Sequence, residues 1–203
     1  MKFRTLSLAI AGAFVLSAPA AFAQDSTDTA GSKRFSIAGG YAHIKPRTNA
    51  FDAPNTGVKG SGMPTLSAAY HITPNIAVEA WGAVDKSTHK IGGGSQVKAQ
   101  PYAISGQYHF GQPEQAIRPY VGLGYYEANI SGERDAAGNT FGMSTPKGAI
   151  GTIGADFNIT DRVFTRAEAR YMQGKSDVKM AGQKVGEAKL DPWVVGVGVG
   201  ARF

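Results

Sequence analysis

Trp193-Val194-Val195-Gly196-Val197-Gly198-Val199-Gly200-Ala201-Arg202-Phe203 alternates without a break. Trp193, Val195, Val197, Val199, Ala201 and Phe203 fall on one side of an extended chain, and Val194, Gly196, Gly198, Gly200 and Arg202 on the other. Successive Cβ atoms of a strand point to opposite faces, so a period of two sustained this far describes a strand between two different environments. The same arithmetic recurs upstream. Val163, Thr165, Ala167, Ala169 and Tyr171 oppose Phe164, Arg166, Glu168, Arg170 and Met172. Ile76, Val78, Ala80, Gly82 and Val84 oppose Ala77, Glu79, Trp81, Ala83 and Asp85. Residues 65–72 and 120–126 repeat the pattern, and weaker versions run through 35–45, 101–110 and 147–158. Eight strands are predicted.

Their connections alternate in length. Thr73-Pro74-Asn75, Gly111 to Ala116 and Ile159-Thr160-Asp161 are short, whereas 46–61, 86–97, 131–145 and 174–188 are long and rich in Gly, Asn, Asp, Lys and Ser. Long loops at one end and tight turns at the other predict an all-β fold, an eight-stranded antiparallel transmembrane β-barrel with four long extracellular loops and short periplasmic turns. Directly paired residues share a face, so Phe157 can pair with Val163 but not with Phe164, which requires an odd-numbered turn; Ile159 to Asp161 supplies one.

Dimensions decide which face meets lipid. A lipocalin-like soluble barrel turns its apolar side inward, and an outer-membrane barrel does the reverse. From Trp193 to Phe203 there are ten steps of ~3.3 Å, about 33 Å of strand. Tilted by ~40°, this projects to about 25 Å, the height of the outer-membrane apolar band. An aromatic stands at each end of the stripe, as interfacial girdles require. The charged face then lines the lumen.

The N-terminus reads as an address. Met1-Lys2-Phe3-Arg4 is cationic, Leu6 to Leu16 is apolar, and Ala21-Phe22-Ala23 precedes Gln24 as an A-x-A cleavage site. Residues 1–23 are expected to be a signal peptide, cut between Ala23 and Gln24, and 24–203 the barrel. The chain holds 27 glycines among 203 residues, nearly twice the usual ~7%. It has no cysteine, which excludes disulfide scaffolds, thiolate zinc sites and thiol nucleophiles. Its formal charge of +6 falls to +4 without Lys2 and Arg4. That mild excess, with no basic runs, is a poor nucleic-acid footprint.

Arg166, Glu168 and Arg170 stand at i, i+2 and i+4 on one strand, and Asp156, Glu79, Arg118 and Arg202 point the same way from others. Unpaired charges in so narrow a lumen are costly, so opposite signs should meet across strands. Asp156, Arg166, Glu168, Arg170 and Arg202 are therefore expected to form an ion-pair plug in the periplasmic half, with a proton or ion relay as the alternative. Trp81, Tyr126 and Met172 lie further towards the long loops, as an apolar vestibule or as packing. A barrel of this size has no room for a pore of porin width. Enzyme readings fare poorly. None of His43, His71, His89 and His109 has Ser two residues on, and His71-Ile72-Thr73, the nearest match to a His-x-Ser pair, lies at a short turn. The histidines sit on four segments without zinc spacing, so no metal and no cofactor are expected.

Arg118-Pro119-Tyr120-Val121-Gly122-Leu123-Gly124, Leu190-Asp191-Pro192-Trp193 and Gly200-Ala201-Arg202-Phe203 resemble the OmpW family of eight-stranded outer-membrane barrels. Asn75-Ile76-Ala77-Val78-Glu79, His89-Lys90-Ile91-Gly92 and Tyr108-His109-Phe110-Gly111 add to a resemblance that covers nearly the whole mature chain. It implies residence in the outer membrane of a Gram-negative bacterium, among lipid and lipopolysaccharide. It also implies passage of small hydrophobic molecules, and a terminal Phe203 that the barrel-assembly machinery would recognise. Pro101, Pro146 and Pro192 lie near the outer ends of strands, where each removes a ladder donor. They terminate strands or, as the resemblance implies, weaken the wall enough for an apolar molecule to slip sideways into lipid. Lys147 stands where several family members carry Trp, which would set a charge at the height of an apolar constriction. Channel or carrier is one class of function; a structural or surface-interaction barrel, OmpA-like, with loops that meet host proteins, phage or toxins, is the other.

Overall fold

The computed structural model describes residues 30–45, 60–91, 95–134, 142–143, 145–180 and 183–203. The expected signal segment, with Ala23 and Gln24, lies outside the described residues. Eleven strands are present in chain order: β1 (Phe35–Lys45), β2 (Ser61–His71), β3 (Ile76–Ala83), β4 (Ser87–Ile91), β5 (Ser95–His109), β6 (Ile117–Arg134), β7 (Gly142–Met143), β8 (Lys147–Asn158), β9 (Val163–Met180), β10 (Gln183–Leu190) and β11 (Trp193–Arg202). Eight of them, β1, β2, β3, β5, β6, β8, β9 and β11, form the staves of a closed antiparallel barrel. β11 returns to β1 with Val197 opposite Tyr41, and Phe35 and Phe203 exchange both backbone hydrogen bonds at 2.8 and 3.1 Å to finish the seam. Eight strands in this closure are what the alternation predicts.

The faces also follow the alternation. Val195, Val197 and Val199 are exposed, while Val194 and Arg202 are buried. Tyr70, Ile76, Ile104, Leu123 and Ile153 are exposed in the same way on other staves. A soluble protein does not show so continuous an apolar exterior; a bilayer is the solvent that fits it. Trp193 and Phe203 stand exposed at opposite ends of β11. Tyr171 packs against Trp193 near one end, and Phe35 packs against Tyr70 near the other.

Two expectations need correction. The 86–97 and 174–188 stretches are not simple loops. β4 pairs with β5, and β10 pairs with the outer part of β9, so hydrogen-bonded ladder continues well above the staves. The turn after β8 is also displaced. Ile159 N donates to Val163 O at 2.9 Å, so the three residues between the pair are Thr160-Asp161-Arg162, and Phe157 faces Thr165. The parity argument allows either, because both keep like faces together. The β2–β3 turn matches its expectation: Ile72 N donates to Ile76 O at 2.8 Å across Thr73-Pro74-Asn75. Both turns begin with a threonine whose hydroxyl accepts from two backbone amides, Asn75 and Ile76 at one turn, Arg162 and Val163 at the other. That local capture of otherwise orphaned donors is what Thr offers a turn.

Candidate functional site

The lumen is built from the inward residues of the staves, and it separates into two levels. The lower level is ionic. Arg166 Nε donates to Asp156 Oδ1 at 2.7 Å and its Nη1 to Glu79 Oε1 at 3.0 Å. Arg170 Nη2 reaches Glu79 Oε2 at 2.9 Å and Glu168 Oε2 at 2.7 Å. Arg202 Nη2 reaches Asp156 Oδ2 at 3.0 Å. Asp156, Arg166, Glu168, Arg170 and Arg202 are thus brought together, and Glu79 joins them. Glu79 is fully buried on β3 and bridges two arginines of β9 across the barrel. It shares the lumenal phase of Ala77 and Trp81, so its direction is legible from sequence; its partners are not, because no ladder joins β3 to β9. Tyr120 O–H donates to Glu168 at 2.7 Å and its ring takes the Arg166 guanidinium at 4.8 Å. Buried arginines survive here because planar forks meet carboxylates and ring faces together.

Glycine makes the room. A Cβ on Gly154 would stand 2.6 Å from the Tyr120 ring, and one on Gly200 would collide with the Phe164 ring. Beside the network a cavity of about 20 Å³, bordered by Gly40, Gly196 and Gly198, has the size of a water. Below it, His109 stacks on Tyr120 at 4.9 Å, lies 5.2 Å from the His71 ring and bonds Gln107 at 3.1 Å.

The upper level is apolar. Trp81, Tyr126 and Met172 are all buried and belong to one cluster with Met63, Ile150 and Val194. Trp81 marks the border: the Arg170 guanidinium sits 4.6 Å from its ring centroid on the ionic side.

The three prolines do not share one seam. Ala128 N donates to Pro146 O at 3.0 Å, and the register places these two residues opposite each other between β6 and β8. An antiparallel pair of this kind normally exchanges two bonds, and proline removes the second. Pro192 does the same to Met172 between β9 and β11, where Met172 N reaches Pro192 O at 3.1 Å. Pro101 is different. It lies on β5 opposite Ala128 of β6, and one step beyond the Gly82–Tyr102 pair it faces Ala83. The Gln100 side-chain amide donates to Ala83 O at 3.1 Å and to Val84 O at 3.4 Å, replacing the missing donor. Pro64, not singled out in sequence, leaves a one-bond pair with Val84, whose N reaches Pro64 O at 3.0 Å.

Lys147 needs correction. It is exposed and in phase with Ala149 and Ile153, on the outer face, with Glu127 opposite it in the β6–β8 ladder. It sets no charge in the lumen.

These features recur among known proteins. Residues 31–203 match the model of the OmpW family. Outer membrane protein W of Salmonella typhi is 31% identical over 76% of this chain and 77% of its own length. The crystal structure of OprG from Pseudomonas aeruginosa superposes with a TM-score of 0.67 at 22% identity, over 84% of this chain and 96% of that one. The solution structure of Escherichia coli outer membrane protein W gives a TM-score of 0.62 at 25% identity, over 84% and 98%. The closed eight-stranded barrel, its apolar exterior and the family match together make this chain a member of the OmpW family and a protein of the Gram-negative outer membrane.

Proposed function

We propose that the barrel is a passive carrier for small hydrophobic molecules. They enter at the long-loop end, lodge in the apolar half of the lumen and leave sideways into outer-membrane lipid. The observation that carries this reading is the division of the lumen at Trp81. Above it a solute meets aromatic, thioether and aliphatic groups; below it lie three carboxylates and three guanidiniums already engaged with one another. Moving further down the axis would strip these charges of partners, at a cost no apolar contact offsets. Trp81, Tyr126 and Met172 are packed together, so a solute displaces them, and the unbranched Met63 and Met172 are suited to that. The Pro146–Ala128 and Pro192–Met172 pairs, each holding one bond of two as Pro64–Val84 also does, are two of the places where the wall parts at least cost.

Liposomes test the reading. Wild-type protein should take up apolar solutes faster than an inert barrel of equal size. Pro146→Val and Pro192→Val, each restoring a donor, should slow that uptake severalfold with little loss of folding and unchanged ion flux. Wild-type uptake no faster than the control, or uptake unaffected in both variants, would favour the second reading, a surface-interaction barrel. That alternative draws on the length of β6 and β9, 18 residues each, well beyond the 9–11 that span a bilayer. In either reading the terminal Phe203 serves the barrel-assembly machinery.

A further inference from the structure

The short-turn end of the barrel holds a cavity of about 70 Å³ whose described charged lining residues are all basic. Lys33, Arg34, Arg118 and Arg202 line it together with His71 and Thr73, and among the described residues no carboxylate does. Of this group the ionic network takes only Arg202, through Asp156. Glu79, Asp156 and Glu168 are matched one for one by Arg166, Arg170 and Arg202, so the network closes on itself. Arg34 Nη1 donates to the backbone carbonyl of Ile72 at 3.0 Å, and Arg118 Nη2 to that of Pro74. Neither guanidinium has a carboxylate partner among the described residues. Arg118 is almost wholly buried, 2% exposed, and its Nε has no acceptor among the described residues. A buried guanidinium with an unmet donor, in a cavity shared with the Arg34 guanidinium, is an arrangement that an anion completes. Two forked guanidiniums favour a tetrahedral oxyanion over a halide, and the volume admits one where a single water needs 10–15 Å³.

We propose that this periplasmic mouth binds a phosphate-type oxyanion, either free or as the headgroup of an inner-leaflet phospholipid. The site lies beneath the ionic network, at the opposite end of the lumen from the apolar cluster, and does not depend on the carrier reading. One wall is the short helical turn Ala30–Ser32, held by Gly31 N donating to Glu114 Oε1 at 3.1 Å. An occupied site would tie that turn, the β2–β3 turn and the start of β6 together across the barrel base.

Titration of the folded mature protein with inorganic phosphate, followed by 31P line width, reads the site directly. Wild type should broaden the resonance saturably. Arg118→Gln and the more exposed Arg34→Gln should each weaken binding by about tenfold, the loss expected for one charge-assisted contact. Lys147→Gln, at the other end, should not. If Arg118→Gln fails to fold, Arg34→Gln decides. Protein released from nanodiscs of mixed phosphatidylcholine and phosphatidylglycerol gives the lipid arm. Retained phosphatidylglycerol that falls in Arg34→Gln identifies a headgroup, and phosphate binding without such retention identifies a free oxyanion. Equal binding in wild type and both arginine variants, or no binding in either arm, overturns the proposal.

Discussion

Glu79 takes one guanidinium on each carboxylate oxygen, Arg166 at 3.0 Å and Arg170 at 2.9 Å, with no solvent exposure to soften the loss of either. Removing it leaves two buried arginines short of a partner, which costs about 3–5 kcal/mol when the site is dry. Glu168 is placed differently: its side chain is 10% exposed, and Arg170 keeps Glu79 if Glu168 is lost. The expected order of urea midpoints is therefore Glu79→Leu lowest, Glu168→Leu intermediate and Thr165→Leu, on the lipid face, near wild type. Equal midpoints would mean that water in the lumen screens these pairs. Five network residues were legible from sequence because parity alone sends Asp156, Arg166, Glu168, Arg170 and Arg202 inward. The sixth, Glu79, was legible in direction but not in role. Its contacts cross the lumen between residues 87 and 91 positions apart, and strand alternation carries no information about what stands across a barrel. Lys147 failed for the opposite reason. It was placed by family likeness, although its parity with Ile153 already sends it outward.

Among the elements, the turns and the closing seam carry the next expectations. The Thr160 hydroxyl accepts from Arg162 N at 3.2 Å and Val163 N at 3.0 Å, and Thr73 repeats this at the β2–β3 turn. Thr160→Ala and Thr73→Ala should each lower stability by about 0.5–1.5 kcal/mol, and Ser at either position should recover most of it. Denaturant midpoints of the four variants check both claims. Phe203 makes two backbone bonds to Phe35 and keeps its ring in the lipid-facing phase. Phe203→Asp should therefore reduce the yield of protein whose gel mobility changes on heating, the mark of a folded barrel. A mobility shift at undiminished yield would show that the terminal ring is dispensable. Strand number and facing were readable because lipid on one side and lumen on the other impose a strict period of two. Strand length was not. Lys175-Ser176-Asp177-Val178-Lys179 and Lys184-Val185-Gly186-Glu187-Ala188 lack that contrast in sequence, yet the β9–β10 ladder runs through them.

At the scale of the molecule, export comes first. The mature protein recovered from outer membranes should begin at Gln24, and N-terminal sequencing of the fractionated product settles the point. A chain still starting at Met1 would contradict the reading of residues 1–23. As the proposed carrier, the inserted barrel has two distinct routes, the axis and the wall. The axis is blocked by the ionic network beside a water-sized gap, and the wall is thinned where Pro146 and Pro192 each leave a single bond. If these paths are independent, they respond to different substitutions. Replacing Glu79, Arg166 and Arg170 together by Ala removes the paired charges as a set, so no lone buried charge remains from the Arg166–Glu79–Arg170 bridge, although Asp156 and Glu168 lose partners. Material that retains heat-modifiable mobility should then conduct small ions in planar bilayers well above wild type, because the axis is open. Its uptake of apolar solutes should stay close to wild type, since the proposed route leaves the lumen above Trp81. The proline variants should show the reverse, slower apolar uptake at unchanged ion flux. Apolar uptake that rises in step with ion conductance when the network is removed would place both solutes on the axis and exclude the sideways exit.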